Sequence, residues 1–107
     1  MPELGDGYLI QLLLPLRDNE GQPYERMLFK DINASLVEKF GGVTAFSRSP
    51  AKGIWIADDH AERDDVIVIE VMAANLDRAW WRSFRQRLET TMKQAEIIVR
   101  AQSINRL

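Results

Sequence analysis

The chain contains no cysteine, which excludes disulfide bridges, thiolate nucleophiles and cysteine-based zinc sites. It also lacks long apolar runs. The longest, Leu12–Leu16, is interrupted by a proline and is far too short to cross a bilayer, so no membrane association is expected. Basic charge is not in excess. A formal net charge of -2 argues against a general nucleic-acid binder, which needs a basic footprint to displace counterions. The opening MPELGDGY carries acids and no basic region, so no secretory leader is expected and a cytoplasmic location is the default. No recognisable catalytic or cofactor motif occurs, and no cofactor or metal is expected. At 107 residues the chain is long enough for one core and too short for two, giving a single domain over 1–107.

What is present is an ordered series of hydrophobic patterns. Short apolar runs occur at Tyr8–Leu16, at Val43–Arg48 with Gly53–Ala57, at Val66–Met72 and at Ile97–Ser103. Two amphipathic stretches, Tyr24–Phe40 and Leu76–Gln94, lie between them. In the first, Leu28, Phe29, Ile32, Leu36 and Phe40 recur at helical spacing, and Gly41-Gly42 ends the pattern. Pro23 suits a first helical turn. In the second, Leu76, Trp80, Phe84, Leu88 and Met92 recur every four residues, with Asn75 as the expected N-cap. Trp81 is then expected at the boundary of that stripe. The order is therefore strand, helix, strand, strand, helix, strand: an α+β unit of the split βαβ, ferredoxin-like type.

Polarity predicts the order of the strands. Tyr8–Leu16 and Val66–Met72 are apolar on both parities, as central strands are. The second strand is broken by SPAKG and should be an edge with a bulge or kink at Pro50. The last carries Glu96, Arg100 and Gln102 on one parity, which makes it an edge as well. The predicted antiparallel sheet has order 4-1-3-2, with both helices on one face. Ile10, Leu12, Leu14, Ile67, Ile69, Val71, Ile97, Val99 and Ala101 are expected beneath the helices. The opposite face then presents Leu9, Leu13, Val66, Val68, Met72 and Ile98, with Gln11, Glu70 and Arg100 among them.

An apolar sheet face left in water is unusual for a monomer, and a second copy of the chain is its expected cover. The element order and the second apolar face resemble the dimeric α/β-barrel superfamily, in which two such sheets pack around a cavity. Small bacterial proteins, monooxygenases and isomerases belong to that group. The resemblance lies in topology and implies a homodimer with a site between the sheets. On that reading Gln11, Trp55, Glu70 and Arg100 are the candidate ligand-binding residues, for a small apolar ligand. Glu70 as general base and Arg100 as electrostatic stabiliser are the catalytic candidates of a cofactor-independent enzyme. The competing reading is a cross-strand salt bridge and hydrogen bond inside a dimer interface.

Two further groupings carry weaker implications. His60 lies within DDHAERDD, where oxygen ligands are plentiful, but the spacing fits no calcium loop and reads as a solvated hairpin connection. Arg78, Arg82 and Arg85 share one helical face with Trp81 beside them. This face is a candidate for phosphate, nucleic-acid or partner binding, with Arg85–Glu89 as an i,i+4 pair. The absence of stacking aromatics on the third strand disfavours RNA recognition through the sheet.

Overall fold

A computed structural model of the chain describes residues 7–42, 45–50 and 65–107. Alternation along the first strand organises the fold. In β1 (Gly7–Pro15), Ile10, Leu12 and Leu14 are buried while Leu9, Gln11 and Leu13 are only half covered. Opposite faces of a strand receive alternate residues, so one face of β1 is core and the other is not. Its neighbour β3 (Asp65–Ala73) follows the same rule, burying Ile67, Ile69 and Val71.

β1 pairs antiparallel with β3, from Tyr8 opposite Ala73 to Pro15 opposite Val66. Its other side pairs antiparallel with β4 (Ile98–Ile104), from Gly7 opposite Ile104 to Leu13 opposite Ile98. The backbone of β2 (Ala45–Pro50) adds to the far side of β3, placing Pro50 opposite Asp65, and the sheet order is β2-β3-β1-β4. Pro50 thus sits at the end of an edge strand, where its missing N–H costs no ladder bond. The resumed segment 53–57, with Trp55, and the DDHAERDD connection, with His60, lie outside the described residues. Gly7 opens β1 with φ 138°, and a Cβ there would stand 2.7 Å from the Ala73 carbonyl oxygen, so the close approach of β3 requires glycine.

Two helices cover the buried sheet face. α1 (Arg26–Phe40) buries Phe29, Ile32 and Leu36, and Leu28 and Phe40 pack partly against the same core. Gly41, at φ 86°, takes the left-handed C-cap and donates its N–H to the Val37 carbonyl at 2.7 Å. The helix starts later than the pattern implied. Pro23 bridges to Arg17 in the preceding loop instead of entering the first turn. α2 (Arg78–Met92) buries Trp81, Phe84, Leu88 and Met92. Its N-cap is Asp77, not Asn75, and the Asp77 carboxylate accepts from the Trp80 N–H at 3.1 Å.

The two tryptophans exchange their expected roles. Trp81 is the buried one and Trp80 is partly covered. A strict spacing of four overshoots the 3.6-residue turn by about 40° at each step, so the line drawn through Leu76 and Trp80 leaves the core at the start of the helix. Trp81 fills that position, stacked on Phe40 with centroids 5.2 Å apart and edge-on to Phe84. Tyr24 ties the segment before α1 to the end of α2: its hydroxyl donates to the Met92 carbonyl and accepts from Gln94 Nε2, both at 2.7 Å. Among the described residues no helix is long and apolar enough to cross a membrane.

Candidate functional site

The sheet face turned away from the helices carries one polar row. Register places Gln11 of β1 directly opposite Glu70 of β3 and, on its other side, opposite Arg100 of β4. The side chains are joined in the same order. Gln11 Nε2 donates to Glu70 Oε2 at 2.7 Å, and Arg100 Nε donates to Gln11 Oε1 at 2.8 Å. A side-chain amide has one donor end and one acceptor end, so only one orientation of Gln11 serves both neighbours. The row runs carboxylate, amide, guanidinium, with the charged ends two interstrand steps apart, about 10 Å at the backbone. Apolar side chains flank it. Leu9, Leu13, Val66 and Val68 are half covered, while Met72 and Ile98 are 44% and 48% exposed.

Gln11, Glu70 and Arg100 are thus brought together, whereas Trp55 lies outside the described residues. The local reason is the period of two. Each residue sits on the parity opposite to the buried Ile10/Leu12 and Ile69/Val71 positions and the partly buried Val99, and antiparallel pairing without a bulge keeps all three in line. The arrangement offers an acceptor, a donor and a fixed amide on an apolar floor. It can orient a small molecule that bears a cationic group at one end and an anionic group at the other.

A second concave feature lies on the other side of the β4 edge. A cleft of about 270 Å³ runs between α2 and β4. The face read from the sequence as Arg78, Arg82 and Arg85 lines it, and so does Arg100, which sequence spacing alone does not connect to that helix. The signal that would have linked them is topological: the last strand of this element order lies beside the second helix. Arg85 Nη1 pairs with Glu89 Oε2 at 2.8 Å. The same carboxylate oxygen accepts from the Ile97 N–H at 2.9 Å, tying α2 to the start of β4. The Ile97 N–H, the largest cause, holds the Glu89 carboxyl below its usual range; desolvation opposes it, and the hydrogen bond and charge of the Arg85 guanidinium add to the lowering. The loop before α1 leaves little for an outside anion, because Asp18 Oδ1 already accepts from the Glu20 and Gln22 N–H groups.

No protein-family model and no curated protein matches the sequence. Among solved structures, the chain is similar to a phage SAM lyase in complex with S-methyl-5'-thioadenosine, with TM-score 0.59 and 14% identity. The match covers 96% of this chain and 86% of the other. Likeness at that identity is a likeness of fold: a small α+β unit with two helices against an antiparallel sheet.

Proposed function

We propose that the chain adopts the complete ferredoxin-like plait and associates with a second copy through its open sheet face. In this reading the Glu70–Gln11–Arg100 row orients a small ligand with opposed charges and an apolar body between the two sheets. The observation that carries it is the row itself. Three polar side chains, joined at 2.7 and 2.8 Å, lie across three strands of a face that is incompletely covered and, apart from Gln102 opposite Leu9, apolar along the described β1, β3 and β4 positions beside them. Such a face favours burial, and the polar row supplies direction within it.

The fold likeness to a SAM lyase supplies reasonable probes. SAM carries a sulfonium beside its adenosine and, two methylenes further on, an ammonium and a carboxylate on one carbon, and S-methyl-5'-thioadenosine lacks all three charges. Light scattering across a dilution series, followed by calorimetric titration with SAM and with the thioether, tests the reading. A persistent dimer that binds SAM, with binding weakened in Glu70→Gln and in Arg100→Gln, is the expected result. A monomer at all concentrations, or binding indifferent to both substitutions, overturns it.

The same fold likeness favours a second reading, a small cofactor-independent enzyme, because the similar protein is named as a lyase. Glu70 is then the base, Arg100 stabilises developing negative charge, and Gln11 and Trp55 position the substrate. Turnover of SAM without added cofactor, abolished in a folded Glu70→Gln variant, distinguishes this from binding alone.

A further inference from the structure

Between its capping residues, Asp77 and Lys93, α2 does not order its charges to suit its macrodipole. Arg78 is the first helical residue, the first turn has no acid, and the last turn has no base. Helices gain from the opposite arrangement, with carboxylates at the start and cations at the end. Arg78, Arg82 and Arg85 succeed one another at intervals of four and three, on one side of the helix, and Arg100 reaches the same cleft from β4. Among the described residues, four guanidinium groups and no carboxylate line this space. Arg85 is held by Glu89 and Arg100 by Gln11, while Arg78 and Arg82 are exposed and have no ion-pair partner among the described residues. Like charges gathered in one cleft repel, and an anion placed among them removes that repulsion.

We propose that the α2–β4 cleft binds a small phosphomonoester. Its phosphate would be taken by Arg78 and Arg82, whose planar forks match phosphate oxygens in pairs. Arg85, fixed by Glu89, sets the far limit of the anion's position. The organic part would lie against Trp81 and Val99, which form the apolar wall of the cleft. A volume of about 270 Å³ is at the small end for ligand pockets and fits one compact molecule, not a polymer backbone. The chain's net negative charge also argues against a polyanionic polymer. This site is separate from the polar row of the sheet face, sharing only Arg100 with it.

Calorimetric titration of the full chain with phenyl phosphate and with inorganic phosphate tests the proposal. The expected result is one phenyl phosphate per chain, bound more tightly than inorganic phosphate and weakened as salt rises from about 20 to about 200 mM. The Arg78→Gln/Arg82→Gln double variant should bind phenyl phosphate about tenfold or more weakly, because two charge-assisted hydrogen-bonding groups are lost. Both arginines are exposed, so the variant should keep its circular dichroism spectrum, and Glu70→Gln should leave phenyl phosphate affinity unchanged. No binding, equal affinity for inorganic phosphate, or full affinity in the double variant each overturns the proposal. A native chain that binds phenyl phosphate but not SAM would sink the sheet-face reading alone.

Discussion

Gln11 Nε2 donates to Glu70 Oε2 at 2.7 Å across the β1–β3 pair, and the same amide accepts from Arg100 on the opposite side. One neutral side chain on the middle strand therefore fixes both charged ends of the row. Replacing Gln11 with Leu should cost little stability, within about 1 kcal/mol, because the row is only partly buried and water can take over the lost contacts. The orientation of Glu70 and Arg100 should be lost all the same. Urea denaturation and SAM titration on one variant separate these effects. A near-native midpoint with weakened binding is the expected pattern, and a strongly lowered midpoint would make Gln11 a structural residue.

The aromatic cluster around Trp81 gives a sharper contrast. Trp81 is 6% exposed, stacks on Phe40 and lies edge-on to Phe84. Trp80 stacks on Phe84 and meets Phe40 edge-on but remains partly in water, with Lys39 Nζ 5.2 Å from its ring centre. Trp81→Ala should cost about 3–5 kcal/mol, the usual range for deleting a large core aromatic. Trp80→Ala should cost clearly less. Denaturant midpoints of the two variants check the order, and equal losses would mean that both rings are core.

These tryptophans show where sequence reading succeeds and where it stops. The parity of β1 and β3 was legible, because a period of two leaves each residue only two choices. Ile10, Leu12, Leu14, Ile67, Ile69 and Val71 then identify the buried face, and Gln11, Glu70 and Arg100 fall opposite. A helix offers a continuum of directions, so a run of residues at exact fours identified the stripe but misjudged its first turn. Capping failed for a related reason. Asn75 and Asp77 both have capping chemistry, and the choice between them depends on where packing of Trp81 sets the start of α2. The Arg100 edge of the arginine cleft was illegible in spacing, since it depends on two elements meeting in space.

Glu89 gives a prediction in pH. Its carboxyl is held below the ordinary carboxylate value near 4.5, mainly by the Ile97 N–H and then by Arg85. A group whose pKa is lower in the folded state adds stability above its unfolded pKa. That stability is lost as pH falls through the folded value. The native chain should therefore lose part of its stability below about pH 4.5, as the Glu89 contacts to Arg85 and Ile97 weaken. Glu89→Gln should be less stable at neutral pH and should show a shallower fall on acidification. Thermal melts between pH 3 and pH 6 check this, and parallel curves for the two proteins would remove Glu89 from the acid response.

The open sheet face makes the last prediction. Met72 and Ile98 are 44% and 48% exposed in a single chain, and they stand on the same face as Leu9, Leu13, Val66 and Val68. If this face packs on a second copy, a charge at either position enters an apolar contact without a partner, which costs several kcal/mol at an interface. In a single chain the same charge remains in water and costs almost nothing. Met72→Glu and Ile98→Lys should therefore lower the solution mass to that of one chain while preserving the circular dichroism spectrum. Val37, 41% exposed on α1, is the control: Val37→Glu should leave the mass unchanged. A dimer that survives both sheet-face substitutions but yields to the helix substitution would place the contact on the helical layer instead.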